Sequence, residues 1–304
     1  MAVKINNKNS AKPAPTAVGP ALNYQPGSSL WGLEAFYEGY RLVFSADFNT
    51  VLKTTKKWQK VLKFFAPAPD KNPGSIISNV DLYNLFSKSA KHAWNNAYVL
   101  AQKRKSQLGV EDIFLALLKE SSVENLLSRI KVDGLQAKTL INNFLKLTPP
   151  LGGTTVKKIP FEAFALAAKL HNHKVGTLML LGGLLKAVPQ NNILQAIFSN
   201  IGLSAAKLEL FAVWLLDLDY EFPPDSTNGK LLFCLKQAQG LEKHFGYFFE
   251  LPAIEAAVNL SQGQTLKDLQ HLKALQLLVK AGLLAQNKKT KIISETLVRQ
   301  AAQK

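Results

Sequence analysis

The chain of 304 residues is long enough for one large or two ordinary domains with a sizeable core. It carries 37 Lys plus Arg against 21 Asp plus Glu, a formal net charge of +16, which suits an acidic protein, an anionic membrane or nucleic acid as partner. Its one cysteine, Cys234, excludes an intrachain disulfide, and the absence of any run of about 18 uncharged apolar residues excludes an ordinary transmembrane helix.

Lys dominates the positive charge and is spread along the chain. Lys gives general attraction more readily than base-edge readout, so nucleic acid is the least favoured of the three partners. Cys234 lies between Phe233 and Leu235 and reads as a small buried hydrophobe, not a nucleophile. A single cysteine fits a reducing cytoplasm, and the first twenty residues lack the apolar core of a signal peptide.

Residues 1–28 are rich in Asn, Lys, Pro, Ala and Gly and are expected to form a disordered tail. Residues 29–66 are dense in aromatics and predict two helices, capped near Ser29 and stopped by Pro67. In the second of these, Lys53, Lys56, Lys57, Lys60 and Lys63 alternate with Val51, Leu52, Trp58, Val61 and Phe65. Such a basic amphipathic helix suits a peripheral anionic membrane surface, or packing on the next domain with its lysines in water. Residues 67–80 open with a Pro-rich stretch and read as a linker.

From about residue 82 the pattern is helical, with breaks at Pro149–Pro150, at Pro223–Pro224 and over 287–291. The first two segments align with each other. At a constant shift of 67 residues, Trp94 meets Phe161, Ala101 meets Ala168, Gly109 meets Gly176 and Ile113 meets Leu180. Leu117 meets Leu184, Leu126 meets Ile193 and Ile130 meets Ile197; a two-residue insertion then brings Val132 near Ile201. Each copy reads as four helices with one apolar face too many to stand alone, and pairing the copies would bury that face.

The first copy reads HAWNNAYVLAQ, LGVEDIFLALLKE and VENLLSRIKVDG; the second reads FEAFALAAKLHNHKVGTLMLLGGLLK and NILQAIFSNIGLSAAKL. This arrangement resembles the duplicated N-domain of the Clp unfoldases over about residues 82–218. The resemblance implies a surface that receives client or adaptor proteins. Where the family opens a helix with Thr-Glu-His, this chain has Val110–Glu111–Asp112 in one copy and Thr177–Leu178–Met179 in the other. Glu111, Asp112, Leu178 and Met179 are therefore the expected partner-binding residues. In some members two opening glutamates bind phosphoarginine; Leu178 cannot pair with a guanidinium, so a symmetric site of that kind is not expected. Read without the family, Glu111 is a carboxylate favoured by a helix start.

The stretch NGKLLFCLKQAQGLEKHFGYFFELPAIEAAVNLSQ, with KIISETLVRQAA near the end, is similar to the small helical lid of a Clp AAA+ module. Leu241, Glu242, His244, Gly246, Ile254, Ala257 and Ser261 fall in step with it. In a working unfoldase a nucleotide-binding core separates N-domain from lid; here only about ten residues, 219–228, do so. No GxxxxGK[ST] loop is present, and neither Gly152–Gly153 nor Gly182–Gly183 is followed by the required Lys-Ser or Lys-Thr. ATP hydrolysis by this chain alone is not expected, and neither a cofactor nor a metal is expected. His171 and His173 would point about 200° apart on a helix and could not share an ion there.

The expected fold is thus all-α. A tail (1–28) and aromatic, basic helices (29–66) lead through a linker (67–80) to a double four-helix repeat (81–220). A mainly helical lid-like domain (226–304) follows. The expected function is a non-catalytic receptor or adaptor for an AAA+ unfoldase. The other expectation is a stand-alone basic protein that binds RNA, the ribosome or an anionic membrane.

Overall fold

The computed structural model describes residues 85–148, 150–223, 226–262 and 267–303. The expected tail, the helices of 29–66 with Lys53, Lys56, Lys57, Trp58, Lys60 and Lys63, and the linker of 67–80 lie outside the described residues.

The described chain is mostly helical, as expected. Helix α1 (Lys88–Lys103) is capped by Ser87, whose Oγ accepts from the Ala90 N–H at 3.2 Å. It buries Ala90, Ala93, Trp94, Ala97 and Ala101, a helical stripe of mostly small residues that admits close packing. Helix α2 (Val110–Leu117) is buried along its whole length. Helices α3 (Ser121–Arg129) and α4 (Gly134–Leu147) follow, α4 capped by Asp133, which accepts from the Leu135 N–H at 2.8 Å.

Helix α5 (Thr154–Lys169) contains Pro160, which lacks the N–H that would bond to the Val156 carbonyl; the helix continues through it. Helix α6 (Thr177–Ala187) is the central element, buried except at Lys186. It lies so close to α5 that a Cβ on Gly183 would stand 2.3 Å from the Ile159 carbonyl oxygen and 2.7 Å from the Ala163 nitrogen. The Gly182–Gly183 pair is thus a packing surface. Helices α7 (Ile193–Asn200) and α8 (Ala205–Leu215) are capped by Asn192 and Ser204.

The two sets of four helices share one core. Phe86 packs edge-on against Trp94 of α1 and Phe164 of α5, with centroids 6.5 and 5.4 Å away. Phe114 of α2 meets Phe198 of α7 at 5.0 Å. Backbone joins the sets as well, through a parallel bridge between Phe86 and Val175.

The same series of helix endings occurs in each set. After α1 the Ser106 N–H bonds to Ala101 O and Lys105 takes φ 53°; after α5 the Asn172 N–H bonds to Ala167 O and His171 takes φ 54°. After α3 the Val132 N–H bonds to Leu127 O; after α7 the Leu203 N–H bonds to Phe198 O. These endings correct the constant shift of 67. Ala101 answers to Ala167, not Ala168, and Ile130 answers to Ile201, not Ile197. The extra residues of the second set sit in the turns before α6 and before α7, where they disturb no buried face.

Helix α9 (Thr227–Phe245) starts at Ser226, whose Oγ accepts from the Gly229 N–H at 2.9 Å, and ends on Gly246 in the left-handed conformation, φ 67°. Strand β1 (Phe248–Phe249), helix α10 (Leu251–Ser261), helix α11 (Lys267–Asn287), strand β2 (Ile292–Ile293) and helix α12 (Glu295–Gln303) complete the chain. The two strands pair in parallel, Phe248 with Ile292 and Phe249 with Ile293. Among the described residues no single helix is long and apolar enough to cross a membrane.

Candidate partner-binding site

The start of α2 is built from three neighbouring residues. Gly109 is the N-cap, and Asp112 reaches back to accept its N–H on Oδ2 at 2.9 Å. The same oxygen is ion-paired to Arg104. Glu111 turns the other way and accepts the Leu151 N–H, 3.0 Å from each carboxylate oxygen, while the Val110 N–H bonds to Leu151 O at 2.9 Å. The loop around Leu151 therefore straps the end of the helix. It leaves no room: a Cβ on Gly109 would stand 2.6 Å from Pro150 Cβ and 2.6 Å from Glu111 Oε2.

Both carboxyl groups are cut off from water. Burial pushes each above the usual carboxylate range, against the opposing pull of their backbone N–H donors and Arg104. Asp112 Oδ1 has no hydrogen-bond partner among the described residues, so nothing offsets its lost hydration.

The start of α6 repeats the plan with different chemistry. Gly176 is the N-cap, and its N–H points to the Met179 sulfur at 3.4 Å, where Asp112 stands in α2. Leu178 takes the place of Glu111. Thr177 is held by a hydroxyl contact to Ser122 of α3. Leu178 and Met179 are fully buried.

All four residues expected to touch a partner are thus inside the protein. Glu111 and Asp112 are spent on their own helix start and its strap, and Leu178 and Met179 belong to the core. None of the four presents a surface in this conformation.

A second constellation was not singled out by sequence reasoning. Arg129, at the last turn of α3, points its guanidinium at Glu242 of α9, Nη1 to Oε1 at 2.6 Å and Nη2 to Oε2 at 3.0 Å. Nη1 also donates to the Phe249 carbonyl at 3.2 Å and Nε to Asn125 Oδ1 at 3.0 Å. The guanidinium lies between the Trp214 and Phe248 rings, 4.3 and 4.5 Å from their centroids. Glu242 in turn accepts the Phe249 N–H at 2.7 Å. Lys131 pairs with Glu250 at 2.7 Å and Lys207 with Glu255 at 3.7 Å along the same boundary. Among the described residues, the segment after Ser226 is therefore fastened to the first eight helices by three ion pairs, each with its cation on the N-terminal side. The only sequence clue to Arg129 is a cation in the closing turn of α3.

Cys234 is buried, and burial pushes its thiol up to about 12, as suits a core residue. His171 and His173 are exposed, and no group of three His, Cys, Asp or Glu able to hold a metal occurs among the described residues.

No protein-family model, curated protein or solved structure matches the chain.

Proposed function

We propose that the chain is a non-catalytic, Clp-like receptor or adaptor that delivers client proteins to a separate AAA+ unfoldase. On this reading α1–α4 and α5–α8 are two copies of one unit, and the segment from α9 onward is a lid-like domain retained without its ATP-binding core. The observation that carries the reading is the recurrence of one set of endings. Lys105 and His171 take the left-handed turn, Gly109 and Gly176 open the buried second helix, and Asp133 and Ser204 cap the fourth. The helix–strand–helix order of α9, β1 and α10, joined to α12 by β2, supports the lid-like part.

The burial of Glu111 and Asp112 moves the expected client surface away from the helix openings. It also counts against phosphoarginine as the ligand, because Glu111 already holds Leu151. The binding surface on this reading is apolar and lies elsewhere on the two units.

A second reading is favoured by the net charge of +16: a basic protein that binds RNA, the ribosome or an anionic membrane. Salt separates the two. Binding of the full chain to a fluorescent, permanently unfolded model client and to an RNA oligonucleotide is measured from low to high salt. The receptor reading expects client binding that persists; tight RNA binding that falls steeply with salt, with no client binding, supports the alternative.

A further inference from the structure

The segment after Ser226 leaves an apolar groove open between the end of α9 and one face of α11. Leu241, Phe245 and Tyr247 form one wall, and Leu278, Val279 and Leu283 the other. The walls meet at Gly282, where a Cβ would stand 3.0 Å from the Tyr247 ring. Phe245 stacks on Tyr247 with centroids 5.8 Å apart, which holds that wall upright. Phe245 and Leu283 are each 57% exposed, Val279 41% and Leu272, farther along α11, 54%. At about 100° per residue, Leu272, Val279 and Leu283 fall within one narrow stripe of α11. Single exposed apolar residues are ordinary, but a wall and a stripe that face each other across a groove mark a binding surface.

Charge says what fits there. Four of the segment's five carboxylates, Glu242, Glu250, Glu255 and Glu295, are engaged in ion pairs, and the fifth, Asp268, stands at the start of α11. Lys273 and Lys280 have no carboxylate partner among the described residues. They are seven residues apart on α11, on the edge of the stripe away from Tyr247, so the groove has an apolar floor and a basic rim. A second copy of a chain with net charge +16 would bring like charge to that rim. So would this chain's own lysine-rich stretch over residues 53–63.

We propose that this groove docks an acidic amphipathic helix of a partner protein, with apolar side chains at i, i+3 or i+4, and i+7 seated against Phe245, Val279 and Leu283 and its carboxylates facing Lys273 and Lys280. The proposal holds whether or not the chain is Clp-like, because it rests on the groove and its rim alone.

The test is fluorescence anisotropy on the full chain with a labelled synthetic Leu/Ala/Glu helix of that spacing. Two control peptides carry Lys in place of Glu, or the same composition with the apolar spacing broken. The acidic helix is expected to bind at least about 10-fold tighter than either control. Leu283→Asp and Val279→Asp are each expected to weaken it about 10-fold with unchanged circular dichroism. Lys280→Glu is expected to weaken it about 5-fold and to flatten its salt dependence. Equal binding of the acidic and basic peptides, or binding indifferent to both Leu283→Asp and Val279→Asp, would overturn the proposal. So would sedimentation showing a dimer that Leu283→Asp dissolves, since the groove would then be filled by a second copy.

Discussion

Arg129 and Glu242 form a two-point ion pair that fastens α3 to α9, with both side chains nearly closed to water. Desolvating two charges is costly, and this geometry offsets the cost by giving every guanidinium nitrogen an acceptor and stacking its faces on Trp214 and Phe248. Removing one partner leaves the other charge buried alone. Arg129→Ala is expected to destabilise the chain by about 3–5 kcal/mol in urea unfolding. Arg129→Met combined with Glu242→Leu should cost clearly less than the sum of the single changes. Additive costs would mean that the pair does not hold the two segments together.

Gly109 and Gly176 occupy corresponding positions, yet they answer different demands. The strap around Leu151 crowds Gly109, and nothing lies within 4 Å of a Cβ on Gly176. Neither residue needs a positive φ, their values being −109° and −88°. Gly109→Ala is therefore expected to destabilise by about 1–3 kcal/mol, whereas Gly176→Ala should change stability by no more than about 0.5 kcal/mol. Chemical denaturation of the two variants side by side decides it; equal effects would contradict the strap.

Glu111 makes stability depend on pH in a predictable direction. Burial raises its folded-state affinity for a proton above that of the unfolded chain. The folded state thus holds more protons than the unfolded one between the ordinary carboxylate value of about 4 and the raised folded value. The stabilisation is fully present below that window and is lost as pH rises through it. The urea midpoint of the wild type should fall relative to that of Glu111→Gln as pH rises from acid toward neutral. Asp112 adds a shift of the same sign, so the variant keeps part of the slope. Parallel pH profiles for the two proteins would contradict it.

Much of the fold was legible because its signals are local. Helical spacing of Ala and Leu and the breaks at Pro149–Pro150 and Pro223–Pro224 mark elements within a few residues, whereas the caps Ser87, Asp133, Ser204 and Ser226 emerged only from the structure. The internal alignment at a constant shift of 67 is out of register with the helix endings. Apolar residues recur every three or four positions in any buried helix, so Ala101 scores nearly as well against Ala168 as against Ala167. Only the hydrogen bonds that end the helices fix the match.

The site was less legible for a different reason. A carboxylate at a helix start looks the same in sequence whether it faces a ligand or its own backbone. What turns Glu111 inward is Leu151, 40 residues away. Arg129 and Glu242 are 113 residues apart, and nothing local to either announces the other. The groove beside Tyr247 is written as two ordinary helix faces, and it is a groove only because Gly282 lets them approach.

The receptor reading is tested most directly by affinity capture of the full tagged chain from native lysate, washed at low and at high salt, with the retained proteins identified by mass spectrometry. A Clp-type AAA+ ATPase or its peptidase, retained through the high-salt wash, is the predicted result. Recovery of ribosomal proteins or nucleic acid released by salt, with no Clp subunit at either wash, would contradict it.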